Sequence, residues 1–376
     1  MNIEEIVKKF NIKGELVNIS YCDTGNINRT FVISVLDGEK MNKYTLQKIN
    51  TTVFNQPYLL MKNIERVTKY CKEYLKENNE DYERGTLNVI KTKRNENLYR
   101  NIDDEYYRMY NYVENVRTYD NAKDTQIIYN VGKAFGKFVH MLDGYPSDSL
   151  YETIPNFHNT KVRYNDFINS IKKDPCNRVK DVKEEIKFLV KREEQLGIIV
   201  DQINCGNIPS RVTHNDTKIN NVLIDVETNK AVCVIDLDTV MPGSALYDFG
   251  DAIRSCTALT VEDDTNLKNV GINLEYFKSF TEAYLSETKD ILTKTEIDYL
   301  AYSCILITLE LSMRFLTDYI NGDTYFKCNY ENHNLDRCRN QITLVKDMEE
   351  KYELMNSIVK DIIKSNDVKT KLYKKN

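Results

Sequence analysis

Asp216 follows His214 by two residues, Asn221 follows Asp216 by five, and Asp236 closes the next apolar run. Phosphoryl transfer needs these side-chain types in this relation. One carboxylate accepts the proton of an acceptor hydroxyl, while an amide oxygen and a second carboxylate hold magnesium on the nucleotide phosphates. Lys218, two residues beyond Asp216, could set its ammonium against the transferred group and offset charge developing there. Asn and Asp also build ordinary turns before hairpins. The combination His-x-Asp-x-Lys-x-x-Asn, a short hairpin and a terminal Ile-Asp is more specific than any such turn.

These groups need a hairpin under them and a lobe opposite them. Residues 221–225 and 231–236 read as the hairpin, joined through 226–230. Upstream, 16–22, 29–36 and 43–49 are short runs rich in Val, Ile, Thr and Tyr, with turn formers at 23–26 and an Asp37-Gly38 pair between them. Leu60, Ile64, Val67, Cys71 and Tyr74 then recur at helical steps over 58–77. Two more strands are predicted at 86–92 and 105–113. After residue 119 the periodicity is mainly helical, with amphipathic stretches at 127–142 and 182–196 and a more apolar one at 299–320. The pattern predicts an α+β chain with a small β-rich lobe, 1–115, and a large helical lobe, 116–376.

The segments HNDTKINN, CVIDLDTVMPG and LYDFGDAIR resemble the aminoglycoside phosphotransferase and choline kinase group, which shares the bilobal protein-kinase-like fold. With TLQKIN near residue 47, ETIPNFHNT at 152–160, RFLTDYINGDTYFK at 314–327 and HNLDRCRNQ at 333–341, the chain most resembles the bacterial N-acetylhexosamine 1-kinases within that group. The resemblance implies ATP as phosphoryl donor, Asp216 as base, Asn221 and Asp236 as Mg2+ ligands, and a small sugar as acceptor. It also implies that Asp248 steadies the catalytic loop and that His214 orients it. Asp238 points the same way if its strand continues, helping with metal or only accepting hydrogen bonds.

The nucleotide side is weaker. The loop that would cover the phosphates holds Gly25 and Asn28. Gln47 stands where a third-strand lysine is expected, with Lys48 beside it, and alternation forbids both from facing the nucleotide. Gln47 as a neutral contact, Lys48 after a register shift, and Lys48 at the surface are all open readings. Tyr112, Val113 and Glu114 would form the hinge that meets adenine. For the acceptor, Arg314 in an apolar helical run is either paired with Glu310 or Asp318, four residues away, or aimed at sugar oxygens. His158 and Asn159 form a polar loop cluster, and Asp318 and Tyr325 complete the substrate candidates.

A net charge of −5 over 376 residues gives no electrostatic footprint for nucleic acid. The apolar stretch 299–309 is shorter than the ~20 residues of a membrane span, so no membrane association is expected. The opening MNIEEIVKKF has acidic residues and no apolar h-region, so no secretory signal is expected, and nine cysteines make no Cys-x-x-Cys pair. A cytoplasmic protein with reduced thiols and no obligate protein partner is the expectation. Kinases of choline, homoserine or aminoglycosides compete as readings, and more remotely a nucleotide-binding pseudokinase.

Overall fold

The computed structural model describes residues 2–22, 27–121 and 124–373, with side chains to 365. A short helix α1 (Ile3–Val7), capped by Asn2, precedes strands β1 (Glu15–Cys22), β2 (Arg29–Asp37) and β3 (Lys40–Ile49). The Asp37-Gly38 turn behaves as its sequence predicts: Asp37 pairs with Lys40, and Gly38 takes φ 62°. Helix α2 (Pro57–Glu77) follows, then β4 (Val89–Ile90), β5 (Tyr99–Arg100) and β6 (Tyr106–Asn111). All pairings are antiparallel, in the order β1-β2-β3-β6-β4, with β5 also on β6. One sheet face buries Ile33, Val35, Leu46 and Met109 against Ile6, Val7 and Phe10.

The second part starts with β7 (Val116–Arg117), helices α3 (Thr125–Met141) and α4 (Thr160–Lys173), and the short helices α5 (Lys183–Val190), α6 (Glu193–Leu196) and α7 (Ile198–Asn204). Strands β8 (Arg211–Thr213), β9 (Val222–Asp225), β10 (Ala231–Val234) and β11 (Met241–Gly243) make two small sheets, β10-β9-β7 and β11-β8. Helices α8 (Ala245–Cys256), α9 (Leu274–Thr288), α10 (Lys294–Asn321), α11 (His333–Glu350) and α12 (Tyr352–Tyr373) complete the chain. Helix α3 lies against α9 so closely that a Cβ on Gly132 would sit 2.5 Å from the Phe280 carbonyl. The fold is mixed, an antiparallel sheet followed by a mainly helical body.

Two predicted elements differ. The strand expected at 86–92 shrinks to Val89–Ile90, because Asn88 donates to the carbonyls of Glu83 and Thr86 and curls the chain before it. The helix expected over 182–196 breaks at Arg192, whose guanidinium is drawn to Glu349 on α11 and stacks on Phe188 at 3.5 Å. Helix α10 is longer than predicted and by length and composition could span a bilayer, yet 78% of its most apolar window is buried within this protein. A Thr293–Glu296 capping box starts it, and Gly322 at φ 95° ends it.

Candidate active site

The loop 214–221 leaves β8 and is fixed from below by α8. Asp248 accepts from the backbone N–H of His214 (2.8 Å) and of Asn215 (2.7 Å). Asp251, one helical turn on, accepts from the Thr217 N–H at 2.9 Å, and Arg254 grips the same carboxylate. Burial raises the Asp248 pKa, while its backbone donors favour the charged form. Asn215 takes φ 62°, a strain such bonds must hold. His214 donates from Nε2 to the Ile235 carbonyl (2.9 Å) and accepts at Nδ1 from the Asp216 N–H (3.3 Å). Both ring nitrogens serve the backbone, so His214 orients the loop.

The loop presents Asp216 with its side chain 26% exposed. Lys218 Nζ meets its carboxylate at 3.0 Å, and Asn221 Nδ2 at 3.2 Å. Asp216 raises the Lys218 pKa against the pull of burial. Because Asn221 spends its amino group on Asp216, its amide oxygen is turned the other way. Asp236 follows β10 at φ 61°, ψ 55°. Burial first, then Asp238 and Asp216, push its carboxyl up to about 7. A carboxyl so crowded by negative charge is suited to a cation.

Among the described residues, no cluster of three or more His, Cys, Asp or Glu would hold a metal alone. Magnesium takes few protein ligands and completes its shell with phosphates and water. The hard oxygen donors of Asp236 and Asn221 fit that chemistry when a nucleotide is present.

On the sheet side, Gly25 lies outside the described residues. Asn28 Nδ2 donates to Asp238 at 2.6 Å and Asn28 Oδ1 accepts from the Asn50 N–H. Gln47 and Lys48 diverge as alternation requires, with no register shift. Lys48 pairs with Glu105. Gln47 donates to Thr30 Oγ1 (3.1 Å) and accepts from Arg108 Nε (3.0 Å). Arg108, which no sequence motif marks, reaches on to Asp238. Tyr112 is exposed, Val113 buried, and Glu114 pairs with Lys43 at 3.0 Å, its carbonyl accepting from Arg84. Arg84 also holds Asp225 at 2.8 Å, bracing the crossing between the sheets.

On the other side of the loop, His158 Nδ1 meets Glu310 at 3.0 Å, and its Nε2 lies 3.4 Å from the Asn215 carbonyl. Arg314 Nη1 lies 3.6 Å from Glu310, with its guanidinium 4.8 Å from the Phe157 ring and 5.9 Å from that of Tyr325. Arg163 shares the Phe157 ring at 5.8 Å, and its pKa is lowered by burial and by Arg314. His158, Arg314 and Tyr325 therefore come together, joined by Phe157, Arg163 and Glu310. Asn159 instead caps α4 by accepting from the Val162 N–H (3.2 Å). Asp318 is buried and accepts from the N–H groups of Thr324, Tyr325 and Phe326 at 2.8–2.9 Å and from Asn334. Both carboxylate oxygens are thus taken by the protein, which makes Asp318 the staple of the loop carrying Tyr325.

Residues 99–274, which include the whole loop and hairpin, match the family described as APH, phosphotransferase enzyme family. Across the whole chain the structure is similar to an aminoglycoside phosphotransferase from Alicyclobacillus acidocaldarius, with TM-score 0.59, 12% identity and 97% of each chain covered. It is also similar to choline kinase from Cryptosporidium parvum, with TM-score 0.56, 15% identity and 96% of this chain and 98% of that one covered. Spectinomycin phosphotransferase in complex with ADP and spectinomycin matches at TM-score 0.56 and 12% identity, over 93% of this chain and 97% of that one. At such identities the likeness is one of fold. Residues 99–274 thus resemble the phosphotransferase enzyme family, and the chain as a whole shares the fold of the solved aminoglycoside phosphotransferase and choline kinase.

Proposed function

We propose that the protein is an ATP-dependent small-molecule kinase that phosphorylates the anomeric hydroxyl of an N-acetylhexosamine, giving the sugar 1-phosphate. The observation that carries the kinase reading is the loop 214–221. Its backbone is fixed by Asp248 and Asp251 while the Asp216 side chain stays partly exposed beside Lys218 and Asn221. Asp216 is the base that takes the hydroxyl proton. An anomeric hydroxyl is more acidic than an ordinary alcohol, so placement within hydrogen-bond reach matters more than basicity. Lys218 steadies charge on the transferred group. Asn221 and Asp236 hold Mg2+, which would neutralise the nucleotide phosphates. The small lobe, 1–115, covers the nucleotide, and Tyr112, Val113 and Glu114 form the crossing to the large lobe, 116–376.

The acceptor reading rests on charge. Choline and aminoglycosides are cations, and the names of the matched structures include kinases of both. Here Arg314 and Arg163 crowd one aromatic ring near the loop, with Glu310 between them and His158. Guanidinium donors suit neutral hydroxyl and acetamido oxygens and repel an ammonium. His158, Arg314 and Tyr325 are the proposed sugar contacts, while Asn159 and Asp318 shape the loops around them. The test is a panel of hexosamines, choline, homoserine and aminoglycosides with ATP and Mg2+, read by ADP release and phosphorus NMR. A 1-phosphate formed from N-acetylhexosamine supports the reading. Turnover of a cationic acceptor alone overturns the sugar assignment, and no ADP release with any acceptor counts against the kinase.

A further inference from the structure

Kinases of this general fold carry a cation on the third strand of the small lobe, and here that position is Gln47. Its cross-strand partner is Arg108 on β6. Directly opposed residues share a sheet face, so a guanidinium enters the same space from the neighbouring strand. Gln47 spends its amide on orienting it, accepting from Arg108 Nε at 3.0 Å while donating to Thr30. Arg108 Nη1 then pairs with Asp238, the two side chains being 1% and 4% exposed. The other oxygen of Asp238 accepts from Asn28 Nδ2 at 2.6 Å, and Thr153 Oγ1 donates to its carbonyl at 3.1 Å.

Both carboxylate oxygens of Asp238 are therefore met by protein donors. Asp236, two residues earlier, differs: no hydrogen bond to its carboxylate is present among the described residues, and its backbone is left-handed at φ 61°. A non-glycine residue holds that conformation only at a cost, so its surroundings must impose it. The anchored Asp238 lies in the short 3-10 turn, residues 237–239, that follows directly.

We propose that Arg108, Asp238 and Asn28 form a positioning unit that sets the Asp236 turn for the metal–nucleotide complex. In this unit Asp238 is an anchor and not a metal ligand. The inference rests on the kinase reading above. It assigns to a buried inter-sheet ion pair the task that a third-strand lysine performs elsewhere: tying the small sheet to the phosphate end of the cleft.

The test is binding of a fluorescent ADP analogue to the full chain, with and without Mg2+, for wild type, Arg108→Gln, Asp238→Asn and the double variant, alongside melting temperatures. Loss of a group that orients a metal ligand weakens metal binding roughly 10- to 100-fold. Each single variant should lose about that much of the Mg2+-dependent tightening and keep its metal-free affinity within about threefold. The double variant should be no worse than the worse single one, because the pair acts as a unit. A melting-temperature loss with the Mg2+ effect intact overturns the proposal. So does an additive double variant, which would make Asp238 a ligand in its own right. If Arg108→Gln does not fold, Asp238→Asn and Asn28→Ala carry the same comparison. A wild type without Mg2+-dependent nucleotide binding overturns the kinase reading itself, a result distinct from unaltered variants.

Discussion

Replacing Asp216 by Asn separates chemistry from folding, because the structure sets the two costs far apart. In the folded protein the Asp216 carboxylate meets Lys218 at 3.0 Å and Asn221 at 3.2 Å. The Lys218 pair is partly exposed, and such pairs contribute about 0–1 kcal/mol. An asparagine at 216 can still turn an amide oxygen toward Asn221. The fold should lose no more than about 1 kcal/mol, a fall in melting temperature of roughly 1 °C for a chain of 376 residues. Removing a general base typically lowers turnover about 10²–10⁴-fold. Asp236 and Asn221 are untouched, so binding of the ADP analogue with Mg2+ should stay within about threefold. Steady-state ADP release at saturating ATP and acceptor, with calorimetric melting and analogue binding on the same preparation, reads all three. Turnover within threefold of wild type would show that Asp216 is not the base. A loss of nucleotide affinity as large as the loss of turnover would place it on the metal instead.

Three further changes probe the surroundings. Arg314→Lys should raise the Michaelis constant for the hexosamine roughly 10- to 150-fold, the equivalent of one charged hydrogen bond, and leave that for ATP alone. Because the Glu310 contact is 3.6 Å long, stability should barely change; normal sugar affinity with a lowered melting temperature would remove Arg314 from the acceptor site. Asp248→Asn turns one acceptor of the His214 and Asn215 N–H groups into a donor, an expected loss of about 1–3 kcal/mol, and an unchanged urea midpoint would contradict it. Glu105 is held down to about 2 by hydrogen bonds from Lys48 and Tyr107, against an ordinary 4.5. A depressed folded pKa stabilises fully above about pH 4.5 and loses that contribution as pH falls through about 2. Glu105→Gln should therefore cost up to about 1 kcal/mol at pH 7 and progressively less on acidification, and urea titrations showing a gap that widens toward pH 3 would reject the pairing.

What the sequence makes legible here is what depends on near neighbours. Alternation and the Asp37-Gly38 turn place β2 and β3 to within a few residues, and the five-residue interval from Asp216 to Asn221 marks the loop by spacing alone. Glu310 and Arg314, one turn apart in an apolar helix, show their pairing for the same reason. The role of Asp318 escapes, since its partners lie in a loop past the helix end, where backbone donors carry no sequence signal. Arg163 and Phe157 escape because nothing in α4 foretells that their partner is an arginine on α10. Arg108 is the instructive case. Its partners Gln47 and Asp238 are 61 and 130 residues away, too far for any local pattern. A signal did exist: β6 reads Tyr-Tyr-Arg-Met-Tyr-Asn, with no polar alternation and therefore no solvent face. An arginine in a strand covered on both sides cannot escape to water, so it must be met by an acid. Sequence supplies that obligation but not the acid's identity. The fold supplies it by bringing β6 over the Asp236 turn, so the guanidinium that meets Asp238 arrives from β6 and not from the third strand, where Gln47 stands.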